Sequence, residues 1–340
     1  MTRDGEIGIG IWGAGWVSQG HLNAYLQTPG CKVVAIGSRR RESAEKLAAW
    51  KGLRCRLYDD YSTFLADPEL DAVSICTPHA LHPQNAIEGA RAGKHLFIEK
   101  PVAMRLEDLA AMRKAIREAG VVTEVGFVTR GTPLAQHLRR MVKNGELGRI
   151  FMVDVDYWHA RRGRPAAYRK KETVGSAYLV GGVHALDVGR FITGLDVVEV
   201  CAASTQVSAA EEEGYDYPCV DAILVKYSNG AVGRVSAVIH GHLPYQLNID
   251  ILGDGGIARN NRIYTLEHQE GAGFETLSVA GPASGDVLDH AFPYLMNEFV
   301  QGIRSGRQTE TSLEDAANTH EVGFAAEISK QRGGWVKLPL

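Results

Sequence analysis

The sequence predicts an α/β protein of two domains, a doubly wound parallel sheet first and a mostly antiparallel sheet after it. Two observations carry this. Residues 7–125 alternate short apolar strand-like runs with helical stretches, the pattern of right-handed βαβ units. Beyond residue 125, strand-like runs follow one another with turn signals between them, which implies antiparallel pairing. A chain of 340 residues is long for one core and agrees with two domains, 1–125 and 126–340.

In order, Ile7–Ile11 reads as a strand and Val17–Gln27 as a helix. Strands over 32–37, 72–76, 96–98 and 121–125 follow, with helices over 43–51, 83–92 and 106–119 between them. The second domain begins with a helix over 134–144 that stops at Gly145. Strands are expected over 150–157, 197–207, 221–227, 231–240 and 247–252, with a helix over 185–192 between the first two. "SNGAVG" (228–233) marks a hairpin, because Asn-Gly supplies the positive φ angles of a tight turn. Helices over 292–305 and 312–330 close the chain.

Composition narrows the function. A hydrophobic fraction of 45% with 23% charged residues is ordinary for a soluble globular protein. A net charge of −3 argues against nucleic-acid or anionic-membrane binding. No apolar run reaches membrane-spanning length, and the first residues carry no signal-peptide pattern. Five scattered cysteines, with no C-x-x-C pair, fit a reduced cytoplasmic protein with neither disulfides nor a metal site.

"IGIWGAGWVSQGH" (9–21) is a strand, a glycine turn and a helix start. Gly13 and Gly15 fill the first two places of G-x-G-x-x-G and Ser18 the third. The first glycine makes the tight turn, and the second lets a pyrophosphate approach the backbone. The N–H groups of the helix start, at Trp16 and Val17, face the phosphates. At the first βα turn of a chain that continues βα, this favours a dinucleotide over a plain structural turn. The second strand lacks the terminal acid that would bind the ribose hydroxyls of NAD. "GSRRR" (37–41) offers Ser38, Arg39 and Arg40 instead, suited to a 2′-phosphate, or else a solvated basic turn. The cofactor is therefore NADP or NAD, with NADP favoured.

The glycine turn with His21 is followed by "CTPHALH" (76–82), "AGKHLFIEKPVA" (92–103), "NGELGRI" (144–150) and "GGVHALDVGRFITG" (181–194). In this order, and with the closing "TSLEDAANTHEVGFAAEISKQRGGWVKL", they resemble the Gfo/Idh/MocA family of glucose–fructose oxidoreductase and inositol dehydrogenase. The resemblance implies an N-terminal Rossmann domain and a C-terminal α/β domain whose large open sheet builds homodimers or homotetramers. It implies hydride exchange between a nicotinamide and a sugar or cyclitol hydroxyl. Thr77, Pro78, His82 and Glu99 would line the cofactor, and the Lys100–Pro101 bond is often cis in the family.

The resemblance makes Lys100 the catalytic lysine, and the chemistry agrees. Hydride removal from a secondary alcohol needs a group that holds the developing alkoxide, and the end of a parallel strand points into the ligand crevice. A bare Glu-Lys pair would otherwise read as an exposed salt bridge. His184 stands where the family places its catalytic histidine or tyrosine and suits proton transfer near neutral pH. Asp187, three residues on, either orients the imidazole or caps structure. Many family dehydrogenases carry an aspartate four residues before the histidine, where this chain has Val180.

"DYWHARRGRPAAYRKKE" (156–172) offers Trp158 and Tyr168 for stacking on a sugar and His159 for its hydroxyls. Its Arg161, Arg162, Arg164, Arg169, Lys170 and Lys171 suit an anionic sugar, or equally a solvated loop or subunit contact. His240 and His242 are expected on one strand face, with nothing nearby to complete a metal site. The leading function is an NAD(P)-dependent dehydrogenase of a sugar hydroxyl. The alternative is a redox-neutral NAD-dependent glycosidase that oxidises, eliminates, hydrates and reduces an acidic sugar glycoside.

Overall fold

The computed structural model describes residues 5–160, 165–206, 211–268, 273–279 and 286–340. The chain divides into unit 1, Met1–Val128 with Asp286–Ala316, and unit 2, Thr129–Gly285 with Ala317–Leu340. Among the described residues no helix is long and apolar enough to cross a membrane.

Unit 1 holds six strands: β1 (Ile7–Trp12), β2 (Cys31–Gly37), β3 (Arg56–Tyr58), β4 (Ala72–Ile75), β5 (His95–Ile98) and β6 (Thr123–Val125). They lie in the order β3-β2-β1-β4-β5-β6, every neighbouring pair parallel. That is the Rossmann order, with its switch point between β1 and β4. β1 and β4 are buried at every position, as strands covered on both faces must be, which explains their unbroken apolar runs. Helices α1 (Trp16–Tyr25), α2 (Arg41–Trp50), α3 (Tyr61–Leu65), α4 (His82–Arg91) and α5 (Leu106–Ala119) alternate with the strands. Short β3 and α3 escape a sequence reading because three to five residues carry no period.

Unit 2 begins with α6 (Pro133–Lys143), capped by Thr132, whose side chain accepts from the Ala135 N–H. β7 (Ile150–Trp158), the short α7 (Lys171–Val174) and a π turn (Tyr178–Gly182) lead into α8 (Val183–Thr193). The strands β8 (Val197–Thr205), β9 (Val220–Tyr227), β10 (Val232–Val238), β11 (Gln246–Gly253), β12 (Gly256–Arg259), β13 (Arg262–Thr265) and β14 (Glu275–Thr276) follow. After α9 (Phe292–Ser305) and α10 (Leu313–Arg332) comes β15 (Val336–Lys337). The nine-stranded sheet runs β14-β13-β12-β11-β7-β10-β9-β8-β15. Among the described residues of this sheet only β7 and β10 pair in parallel, and the other neighbouring strands pair antiparallel.

Two expectations are corrected here. The break in the chain falls after Val128, and α9, expected in the second domain, belongs to unit 1. Its Phe292, Leu295, Met296, Phe299 and Val300 complete the core of the parallel sheet. An amphipathic helix shows one apolar face whichever sheet it covers, so its sequence does not say to which sheet it returns. The hairpin between β9 and β10 is present, but only Gly230 has a positive φ, 88°. Asn229 instead accepts from the Ala231 N–H through its side chain, a local side-chain turn.

Candidate functional site

In unit 1 the glycine turn follows β1 at the switch point. Gly13 has φ +101°, and a Cβ there would fall 2.5 Å from the Cys76 carbonyl oxygen, so only glycine fits. Gly15 has open space where its Cβ would stand. It caps α1 with no side chain occupying the first-turn N–H groups, and exposed Trp16 flanks it. An open cradle at a helix N-terminus fits a dinucleotide pyrophosphate. At the end of β2, Arg39 and Arg40 are exposed and Ser38 half-buried, whereas Arg41 turns back to the Leu57 carbonyl.

Glu99 and Lys100 follow the end of β5, and the Lys100–Pro101 bond is cis. Glu99 is 6% exposed; Oε1 accepts from His21 Nε2 at 2.8 Å and Oε2 from the Lys100 backbone N–H at 3.2 Å. Burial works against its charge. The hydrogen bond from His21, with the charge of Lys100, nevertheless holds its carboxyl below the ordinary glutamate range.

Two expected cofactor contacts are otherwise engaged. His82 is fully buried, with Nδ1 2.8 Å from the Pro101 carbonyl and Nε2 2.8 Å from the Thr77 carbonyl. It ties two loops together and exposes no surface to a ligand, and burial lowers its pKa. The Thr77 hydroxyl donates to Asn85 of α4 at 3.0 Å, while Pro78 stays exposed beside it.

In unit 2, His184 lies one residue into α8, 5% exposed, with its ring stacked on Tyr157 at a centroid distance of 5.9 Å. A Cβ on Gly181 would fall 2.1 Å from the Tyr157 ring, so this glycine clears the space the stack occupies. Tyr157 Oη shares a hydrogen bond with His159 Nδ1 at 3.1 Å, and Tyr245 packs edge-on against both rings. Burial pushes the Tyr245 pKa up to about 12. His159 therefore joins the His184 cluster through Tyr157.

Asp187 is fully buried, and its two oxygens accept from Arg130 Nε and Nη2, each at 2.6 Å. It forms a buried bidentate ion pair with Arg130. The neighbouring Thr129 hydroxyl reaches the His184 carbonyl at 3.4 Å. Val180 is 7% exposed, packed with Val174, Ala177, Tyr215 and Tyr217. The place of the family aspartate is thus taken by a buried member of a hydrophobic cluster.

Trp158 corrects another expectation. Strand parity puts it on the opposite face of β7 from Tyr157. Its indole donates to Ser236 Oγ at 2.8 Å, and Ser236 is a cross-strand neighbour of Asp156. It therefore lies across the sheet from His184. Tyr168 packs against the apolar cluster around Val180, and Arg169 donates to the Glu213 carbonyl at 2.7 Å. Lys170 pairs with Asp216 at 3.6 Å and Lys171 with Glu327 at 3.4 Å. These three basic groups are thus engaged within the unit, while Arg161, Arg162 and Arg164 lie outside the described residues. β10 ends at Val238, so buried His240 and exposed His242 do not share a strand face. Among the described residues no cluster of three or more His, Cys, Asp or Glu could hold a metal ion.

Sequence reading missed Ser74, Arg130 and Tyr157. His21 alone carried a signal, its fixed place after the glycine turn.

A Rossmann unit with an open glycine cradle, joined in sequence to a large mixed sheet, defines a two-unit dinucleotide-binding protein. Residues 7–127 match the Gfo/Idh/MocA oxidoreductase family, described as having an NAD-binding Rossmann fold, and residues 135–259 match the family's C-terminal domain. The chain belongs to this family. It is 27% identical to the scyllo-inositol 2-dehydrogenase (NAD(+)) of Bacillus subtilis (strain 168), over 98% of this chain and 97% of that one. It is 31% identical to the uncharacterized oxidoreductase YrbE of the same organism, over 78% of this chain and 77% of that one. A solved structure of levoglucosan dehydrogenase in complex with NADH has the same fold, with a TM-score of 0.88 at 24% identity, covering 98% of this chain and 99% of that one.

Proposed function

We propose that the protein is an NAD(P)-dependent dehydrogenase acting on a secondary hydroxyl of a sugar or cyclitol. The observation that carries this reading is Lys100 at the end of β5, backed by a buried carboxylate, in the same sheet as an open pyrophosphate cradle. The inositol and levoglucosan dehydrogenases among its relatives support it. Gly13, Gly15, Trp16, Val17, Thr77 and Pro78 are the residues we assign to the dinucleotide, whose nicotinamide supplies the hydride acceptor when bound. Lys100 donates a hydrogen bond to the substrate oxygen and stabilises its alkoxide character. His184 takes the hydroxyl proton, its ring held by Tyr157 and its helix by the Arg130–Asp187 pair, which makes Asp187 a positioning residue. His159 is the hydroxyl-binding group beside it.

Ser38, Arg39 and Arg40 support acceptance of NADP, since both guanidinium groups are exposed. The partners of Arg169, Lys170 and Lys171 favour a neutral polyol over an anionic one. Exposed Leu224 and Val232 on the outer face of the nine-stranded sheet support a homo-oligomer, and five free cysteines support a cytoplasmic setting.

The test is a panel of neutral and anionic sugars and cyclitols with each cofactor, read by the absorbance of reduced nicotinamide. A stoichiometric rise with a polyol is expected. Cleavage of a glycoside with no net rise would put the redox-neutral glycosidase in its place.

A further inference from the structure

Behind the candidate lysine runs a line of buried polar groups to which hydride transfer gives no part. Tyr25 Oη lies 3.5 Å from Ser74 Oγ, Ser74 Oγ 2.7 Å from His21 Nδ1, and His21 Nε2 2.8 Å from Glu99 Oε1. Serine, histidine and carboxylate in line have the order of a hydrolytic triad. Ser74, however, is a fully buried residue of β4, so no substrate carbonyl reaches its hydroxyl. What the line provides is direction. An ionised carboxylate only accepts, so the proton sits on His21 Nε2. In the neutral ring Nδ1 then accepts from the Ser74 hydroxyl, and Ser74 accepts from Tyr25.

We propose that His21 is a positioning residue for Lys100: anchored by Ser74, it keeps the Glu99 carboxylate ionised and fixed, and Glu99 holds the lysine's backbone and its charge at the end of β5. The surroundings leave the pair little freedom. Phe97 and Phe292 pack against the His21 ring at 4.9 and 4.6 Å. On the carboxylate side, a Cβ on Gly126 would fall 2.6 Å from Glu99 Oε1. The titratable groups that face Glu99 and Lys100 are His21, His82, Cys76 and His290, with Tyr25 and Glu124 further along the line. The Lys100 charge is among those that hold the Glu99 carboxyl low, and by the same coupling an ionised Glu99 favours the charged lysine. Lys100 then acts as a standing hydrogen-bond donor to a developing alkoxide rather than as a base. This deepens the dehydrogenase reading and rests on it for the lysine's role.

The test needs no substrate. Trace acetylation of the full chain across a pH series, read by peptide mass spectrometry, gives the titration midpoint of Lys100, with exposed Lys32 and Lys46 as internal references. Glu99→Gln is expected to lower the Lys100 midpoint by roughly 1 pH unit. His21→Gln is expected to move it in the same direction by less, and the reference lysines should stay in place. A midpoint that moves in Glu99→Gln but not in His21→Gln reduces His21 to packing and overturns the proposal, as does no movement in either. Should His21→Gln not fold, ¹⁵N spectra of histidine-labelled parent protein decide: a proton on His21 Nε2 is expected, and an unprotonated Nε2 overturns it. Because turnover is never read, a protein that is no dehydrogenase can pass this test, and a dehydrogenase can fail it.

Discussion

Lys100 and His184 are held by different devices. In unit 1 the carboxylate behind Lys100 rests on a histidine, a serine and a tyrosine at the heart of a parallel sheet, so the support is a graded polar line. In unit 2 the helix carrying His184 is pinned by one buried ion pair, Arg130–Asp187, and the imidazole by an aromatic stack. A line of neutral and charged donors can lose one member and relax. A bidentate pair buried on both sides loses two charge-assisted hydrogen bonds at once when either member goes. Unit 1 should therefore yield gradually to substitution and unit 2 abruptly.

The largest effect expected is that of Arg130→Ala. It removes the bidentate partner of the buried Asp187 carboxylate and should cost about 3–5 kcal/mol in chemical denaturation. Glu99→Gln keeps the shape of its site and should cost less, about 1–3 kcal/mol. Equal losses would break the comparison. Gly181→Ala pushes a methyl into the Tyr157 ring and should cost about 1–3 kcal/mol while lowering turnover. Dinucleotide affinity, measured by calorimetry, should be unchanged in that variant.

A pH series sharpens the contrast. Burial lowers the pKa of His82, His95 and His290 below the ordinary 6.5, all three in unit 1. As pH falls through 6.5 the unfolded chain takes up these protons first, so stability falls until the folded values are passed. The Glu99 carboxyl is held below the ordinary 4.5, so its contribution is present above 4.5 and is lost as pH falls through its folded value. Thermal unfolding should therefore come earlier at about pH 5.5 than at pH 7, and the gap between parent and Glu99→Gln should close only at lower pH. The smallest effect belongs to Trp158→Phe. It removes one hydrogen bond on the outer sheet face and should change turnover by less than about twofold. A collapse of activity would contradict the placement of that face.

Much of unit 1 was legible because its signals are local. The glycine turn, the apolar strands and the Glu99-Lys100-Pro101 step each lie within a few residues, and a doubly wound parallel sheet follows from βα alternation, its Rossmann character being what the family resemblance implies. The partners of those residues were not legible. His21 meets Glu99 across 78 positions and Arg130 meets Asp187 across 57, and no short motif records either distance. Trp158 misled for a different reason. An aromatic beside a basic loop suggests a sugar platform, but alternation along β7 turns it away from the face that carries His184. Val180 showed a missing acid, and only the packing showed that it joins a cluster with Val174, Ala177, Tyr215 and Tyr217.

The central claim is that Lys100 polarises the substrate hydroxyl. Its most direct test is the rate of nicotinamide reduction by Lys100→Ala with the best polyol of the panel, beside dinucleotide affinity for the same variant. The account predicts a loss of at least about 100-fold in turnover with affinity retained within a few-fold. Turnover at the parent rate would contradict it.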